Sequence, residues 1–210
     1  MLLNLKMMKH NYWSSLWLSL VIFIIFLLQQ MPNFTNIFIL DTSLALARPW
    51  TLFTAIFLHG SSVHILYNLF GLALFGSILE HIIGTKKFLK LFLITGLVAS
   101  LVSLPFYSRV LGASGAVFGV IGMLAILRPK MTIWLYGMPM PMILALFIWA
   151  AIDIAGIYFP SGTANIAHLG GLAIGITAGI LNYKKYKENK PKKQGIHIDE
   201  DKVKEWEKSF

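Results

Sequence analysis

No cysteine occurs anywhere in the chain, which excludes a disulfide framework, a thiolate metal site and a cysteine nucleophile. Charge is also scarce. Asp, Glu, Lys and Arg together make up 13% of the residues, with 9 acidic side chains against 18 basic ones. Apolar residues fill the difference and account for 57% of the 210. A soluble domain of this length cannot hide so much apolar surface. Runs of about 20 apolar residues imply membrane helices, because a bilayer core of roughly 30 Å is crossed by about 20 residues rising 1.5 Å each. A cleavable leader is not expected either: the first apolar run lacks a small-residue cleavage site and continues into Gln29-Gln30-Met31-Pro32, so it is expected to be a retained span.

The expected fold is therefore all-α and polytopic. Six spans are expected, at about 13–28, 63–83, 88–106, 112–127, 140–159 and 164–182. Charge then sets the topology. Lys6, Lys9, Lys86, Lys87, Lys90, Arg128, Lys130 and nine lysines after Tyr183 fall on one side, and only Arg48 and Arg109 on the other. By the positive-inside rule both termini are cytoplasmic, as an even number of spans requires. The net charge of +9 is thus a topology signal, reinforced by attraction to anionic headgroups, and nucleic acid is not an expected partner.

Residues 1–183 read as one membrane domain. Between spans 1 and 2 lies a long outer loop, about residues 29–62, whose Trp50, Phe53 and Phe57 suit the membrane interface. Asn33-Phe34-Thr35 fits a glycosylation sequon that matters only in a eukaryotic secretory membrane. After Tyr183 the composition turns charged, and residues 184–210 read as a cytoplasmic tail in which Val203, Trp206 and Phe210 line one side of a short helix begun at Asp199. The half-to-half symmetry of many transporters is not visible.

Spans 2, 4 and 6 all run inward from the outer side, so their first residues share one level. His64 opens span 2 and Asn68 stacks one turn deeper. Ser114 lies near the start of span 4, and His168 a similar distance into span 6. All four fall within roughly 5–12 Å of the outer surface at 1.5 Å per residue. Gly171, Gly175 and Gly179 repeat every fourth residue along the His168 face, while Gly112, Ala113, Gly115, Ala116 and Gly119 line span 4. In lipid such stripes let helix backbones meet, which would bring Ser114 within reach of His168, with Phe118 packing on the ring.

Ser114 alone reads better as a packing residue or a hydroxyl back-bonded to the preceding turn; its company changes that. Serine needs an adjacent base to act as a nucleophile, and a neutral imidazole suits that task near pH 7. Acyl transfer also needs donors aimed at a developing oxyanion. The Ser114 backbone N–H at a helix start, His64 and Asn68 are the candidates. This chemistry requires no cofactor and no metal.

His64-x-x-x-Asn68, Gly112-Ala113-Ser114-Gly115 and Ala167-His168-x-x-Gly171-x-x-x-Gly175, in that order on alternate spans, resemble the rhomboid family of intramembrane serine proteases. Trp50, His59 and Gly76-x-x-x-Glu80-x-x-x-Gly84 support the likeness, which covers about residues 48–180. The resemblance implies a Ser114–His168 catalytic dyad needing no acid; no organelle address is evident, so a prokaryotic plasma membrane is the expected location, with the dyad towards the outer face. It also implies oxyanion stabilisation by His64, Asn68 and the Ser114 N–H. The substrate would be another protein's transmembrane segment, admitted past a mobile span 5 and cleaved beside a small side chain. Trp50-Thr51 departs from the Trp-Arg pair common in the first loop, and Phe118 stands where some members carry Tyr.

His59 is expected to stabilise its loop, and Glu80 and His81 to be structural near the inner face. Asp153, two turns below the outer end of span 5, either orients His168 or sits hydrogen-bonded or protonated between span 5 and span 2 or 6; the second role is the expected one, although an intramembrane carboxylate is a functional candidate by default. Two rival functions remain. A non-catalytic rhomboid-like escort protein would usually lack the Ser or the His, and a channel or transporter would carry polar residues at several depths.

Overall fold

The computed structural model describes residues 13–135, 137–159 and 162–186. Lys6, Lys9 and the tail beyond residue 186, including its expected short helix, lie outside the described residues.

The chain is helical over each of the six apolar stretches. Helix α1 (Ser14–Leu28) opens the bundle. A second long helix runs from Ser62 to Ile83 in three parts: α4 (Ser62–Gly71), a π-helical turn at Leu72–Gly76, and α5 (Ser77–Ile83). Then follow α6 (Thr85–Ser103), α7 (Ser114–Leu127), α8 (Met142–Tyr158) and α9 (Asn165–Tyr186). Among the described residues, Ser62–Ile83 and Asn165–Tyr186 are long and apolar enough to cross a membrane by length and composition; α1, α7 and α8 are shorter apolar helices.

Local chemistry sets the ends. Ser61 caps α4 by accepting the His64 N–H at 3.1 Å. Gly84, at φ +83°, separates α5 from α6 in a conformation that suits glycine. The first N–H groups of α1 donate to a carboxylate on another element: Ser14 to Glu80 Oε1 at 3.1 Å and Ser15 to Oε2 at 2.9 Å. A negative charge at a helix N-terminus satisfies orphan donors and the macrodipole together. The Thr85 hydroxyl also donates to Oε1, at 2.7 Å, so Glu80 has a structural role.

Helix α7 is the axis of the bundle. Nearly all its residues are buried, from Gly115 to Leu127, in keeping with a helix apolar on every side. Its neighbours α6 and α9 approach through small residues. A Cβ placed on Gly171 would stand 1.9 Å from the Gly115 carbonyl oxygen, and one on Gly175 would stand 2.0 Å from that of Gly119. The two backbones are therefore in direct contact, as the glycine stripes led us to expect. The exterior is apolar: Trp17, Leu66, Tyr67, Phe70, Phe147 and Leu181 are all well exposed, a surface that suits lipid rather than water.

The segment between α1 and α4 is more ordered than a plain loop. It holds α2 (Phe34–Phe38), a two-residue strand β1 (Leu40–Asp41) and α3 (Thr51–Thr54). β1 pairs antiparallel with β2 (Arg109–Val110), joining Leu40 to Val110 and Asp41 to Arg109. A second antiparallel pair, β3 (Thr132–Leu135) with β4 (Met138–Pro141), turns at Gly137 (φ +79°) between α7 and α8.

Candidate active site

Ser114 is the first residue of α7, so its backbone N–H has no partner within the helix. The approach to it is pinned from several sides. The Gly112 N–H donates to the Ala55 carbonyl at 2.9 Å, and the Ala113 N–H points at His59 Nε2 at 3.5 Å. Gln29, at the end of α1, accepts the His59 N–H at 2.8 Å and donates back to the His59 carbonyl at 3.1 Å. The His59 main chain is thus clamped to Gln29, while its ring backs the Ala113 N–H. Burial first, and the neighbouring His64 second, pull its imidazole from the ordinary 6.5 to about 3, so it is neutral at physiological pH.

Across from Ser114, on α9, lies His168. Its Nε2 is 2.8 Å from Ser114 Oγ, a separation the close contact of α7 and α9 permits. Phe118, one turn below Ser114, stacks on the His168 ring with centroids 4.4 Å apart and planes 12° from parallel. The other ring nitrogen, Nδ1, is 2.9 Å from Asp153 Oδ1 on α8. One proton assignment suits all three groups: Nδ1–H donates to the carboxylate, leaving Nε2 to accept from the serine hydroxyl. Ser114 is half-buried, whereas His168 is 8% and Asp153 3% exposed.

Gly112 is what admits His64. With φ +127° the backbone takes a conformation side chains rarely adopt, and a Cβ there would lie 2.7 Å from His64 Cε1, 2.8 Å from Nε2 and 3.6 Å from Ser114 Oγ. The space that the glycine leaves open is bounded by the nucleophile candidate on one side and the His64 ring on the other. His59 backs that ring edge-on, with centroids 4.9 Å apart. Asn68 is buried on the same helix as His64, but its amide donates to the His64 carbonyl at 2.9 Å. That leaves one of its two N–H groups for any other acceptor.

Ser114 and His168 are therefore in contact, His64 borders the same space, and Asn68 stands behind His64. Trp50 is half exposed on the outer segment, and the hydroxyl of its neighbour Thr51 donates to the Arg48 carbonyl at 2.7 Å. Asp153 is hydrogen-bonded to His168 itself, the arrangement that sequence reading held to be the less expected of its two roles. Sequence reading did not single out Gln29, Asn165 or Tyr107. Asn165 is buried at the start of α9, where the Ile166 N–H donates to the Tyr107 hydroxyl at 3.2 Å. Their one signal is polarity at the outer end of an apolar span.

A family model described as the Rhomboid domain matches residues 46–185. The chain belongs to the rhomboid family. This rhomboid is 35% identical over 148 residues to RHOMBOID-like protein 1 of Arabidopsis thaliana, a match covering 68% of this chain and 37% of that protein. It is 32% identical over 139 residues to the rhomboid protease GlpG of Haemophilus influenzae, covering 64% and 70% of the two chains. With the rhomboid protease GluP of Bacillus subtilis it shares 31% over 176 residues, 78% of this chain and 33% of the relative. The matched segment thus spans well under half of the plant and Bacillus relatives. The family matched by this rhomboid is one of membrane proteins, and the match takes in every helix from α3 to α9.

Proposed function

We propose that this rhomboid is an intramembrane serine endopeptidase that cleaves transmembrane segments of other proteins near the outer face of a membrane. The observation that carries the reading is the 2.8 Å contact between Ser114 Oγ and His168 Nε2 at the start of a buried helix. In the proposed reaction Ser114 Oγ attacks the scissile carbonyl carbon while its proton passes to His168 Nε2. The carbonyl oxygen becomes an oxyanion beside the Ser114 N–H, with His64 across the space at Gly112 and Asn68 next to it supplying further donors. Collapse breaks the C–N bond, and His168 gives its proton to the leaving amine. Water, deprotonated by the same imidazole, then hydrolyses the acyl-enzyme and restores the serine. His64 fits its role because its Nε2 lies 2.8 Å, and Ser114 Oγ 3.6 Å, from the position a Cβ on Gly112 would take.

The proposal includes a six-span membrane domain over residues 1–183, a charged cytoplasmic tail over 184–210, both termini inside and the site towards the outside. The six helices and the distribution of basic residues support it. A helical substrate hides its carbonyls in backbone hydrogen bonds, so segments that unwind easily, with Gly, Pro or polar residues beside a small residue, are the expected substrates. Labelling by a fluorophosphonate together with cleavage of a transmembrane substrate in liposomes tests the reading. Both should vanish in Ser114→Ala, and cleavage should vanish in His168→Ala. Cleavage that survives Ser114→Ala would overturn it.

A further inference from the structure

Among the described residues two buried carboxylates lie within the bundle, and they are used differently. Glu80 has both oxygens satisfied by two backbone N–H groups and a hydroxyl, as a packing role requires. Asp153 makes one hydrogen bond, to His168 Nδ1 at 2.9 Å, and its Oδ2 has no partner among the described residues. A carboxylate placed for helix packing would not leave one oxygen bare at 3% exposure. All of its directed interaction goes to the site histidine.

The helix that carries it adds a second observation. Between Phe147 and Tyr158, Asp153 is the one buried residue; the rest of this outer part of α8 is exposed or half-buried. Gly156, one turn on and on the same face, lets α8 lean against α9: a Cβ there would stand 2.5 Å from Asn165 Nδ2. The outer part of α8 is thus seated on α9 by one glycine and one carboxylate, and the carboxylate lands on His168. Phe118 holds the face of that ring and Asp153 holds its edge.

We propose that Asp153 is a positioning residue that fixes His168 with Nδ1 protonated and Nε2 bare towards Ser114, and that α8 must be seated on α9 for the imidazole to be so held. The dyad is thereby completed by a third member from a neighbouring helix, and any outward swing of α8 releases it. This rests on the serine-protease reading above. An anion at Nδ1 selects the tautomer that can take the serine proton and stabilises the imidazolium that follows, without itself taking up a proton.

The test uses the full chain in liposomes with a cleavable transmembrane substrate. Asp153→Asn should lower kcat by at least about tenfold, towards the ~10⁴ seen when the orienting carboxylate of a serine protease is removed, with KM changed less than about threefold. Asp153→Glu should recover part of kcat because it restores the anion. Gly156→Leu, which would push α8 off Asn165, should resemble Asp153→Asn in kcat. Monodisperse elution in detergent and the thermal midpoint count folded enzyme independently of the dyad, so kcat is expressed per folded enzyme. In wild type, ¹⁵N spectra of labelled histidine, assigned by the signal missing from His168→Asn, should give His168 as the Nδ1–H tautomer. An Nε2–H tautomer in wild type overturns the proposal without any Asp153 variant. So does Asp153→Asn with kcat per folded enzyme within twofold of wild type. If Ser114→Ala is inactive while either of these results is found, the positioning role alone fails; if Ser114→Ala still cleaves, the protease reading fails first.

Discussion

At the scale of single residues, the site depends as much on what is missing as on what is present. Gly112 has no side chain, and that absence is the space between Ser114 Oγ and His64 Nε2. Gly112→Ala would put a Cβ 2.8 Å from that nitrogen while forcing φ +127° on a residue with a side chain. The His64 ring must then move out of the proposed oxyanion position. We expect kcat/KM to fall about 10²-fold or more, the scale on which misplaced oxyanion donors act. The loop neighbour Gly60→Ala, whose Cβ would meet Leu111 at an ordinary 3.6 Å, should stay near wild type in the same assay. His59 makes a different prediction, in stability. Its imidazole titrates near 3 in the fold and near 6.5 when released. The unfolded chain therefore binds a proton that the folded chain refuses between those values. The stabilisation is complete above about pH 6.5 and declines as pH falls, by ~1.4 kcal/mol per pH unit for this one group. Thermal midpoints in detergent should drop from pH 7.5 to pH 5, and the drop should be shallower in His59→Gln, which keeps an acceptor and loses the titration.

At the scale of elements, the contact of α7 with α9 decides whether the two reacting side chains meet. Gly171→Ala would bring a Cβ to 1.9 Å from the Gly115 carbonyl, which is backbone and cannot rotate away. The helices must separate or shift. Overpacking of this kind costs about 1–3 kcal/mol, and a shift near 1 Å at the Ser114–His168 pair costs about 10²-fold in rate. Cleavage assays and a lowered unfolding midpoint should register both. This contact was legible in the sequence, because glycines at every fourth position announce a close-packing face and His168 lies on it. The helices themselves were legible for a similar reason: long apolar runs fix their own extents. The strand pairs were not. Two residues such as Leu40-Asp41 carry no periodic signal, and their partner at Arg109-Val110 is distant in the chain. The partner of Asp153 was only half legible. Its place before Pro160 gives a depth, but which face of α8 looks at α9 is set by Gly156 against Asn165, a packing fact that no spacing within α8 reveals.

At the scale of the whole molecule, chemistry and topology constrain one another. His64, Ser114, His168 and the ends of α4, α7 and α9 that carry them lie at one end of the bundle, whereas Glu80, Lys87 and Arg128 belong to the other. At that second end the α9 terminus is held by Arg128 Nη1 donating to the Tyr186 carbonyl at 2.8 Å, and Lys87 donates to the Tyr186 hydroxyl. Lys184 and Lys185 in the last turn complement the helix dipole there. The positive-inside bias predicts that this basic end faces the cytoplasm. The site should then open to the outer side. The absence of native cysteine makes this directly measurable. Ser108→Cys and Lys86→Cys both alter exposed positions, one beside the site end and one beside the basic end. In intact cells a membrane-impermeant maleimide should label Ser108→Cys readily and Lys86→Cys only after the membrane is opened. The reverse pattern would place the Ser114–His168 pair on the cytoplasmic side and require substrates cut at their inner ends. Equal labelling of both in intact cells would be incompatible with a six-span arrangement, because α6 alone separates the two positions.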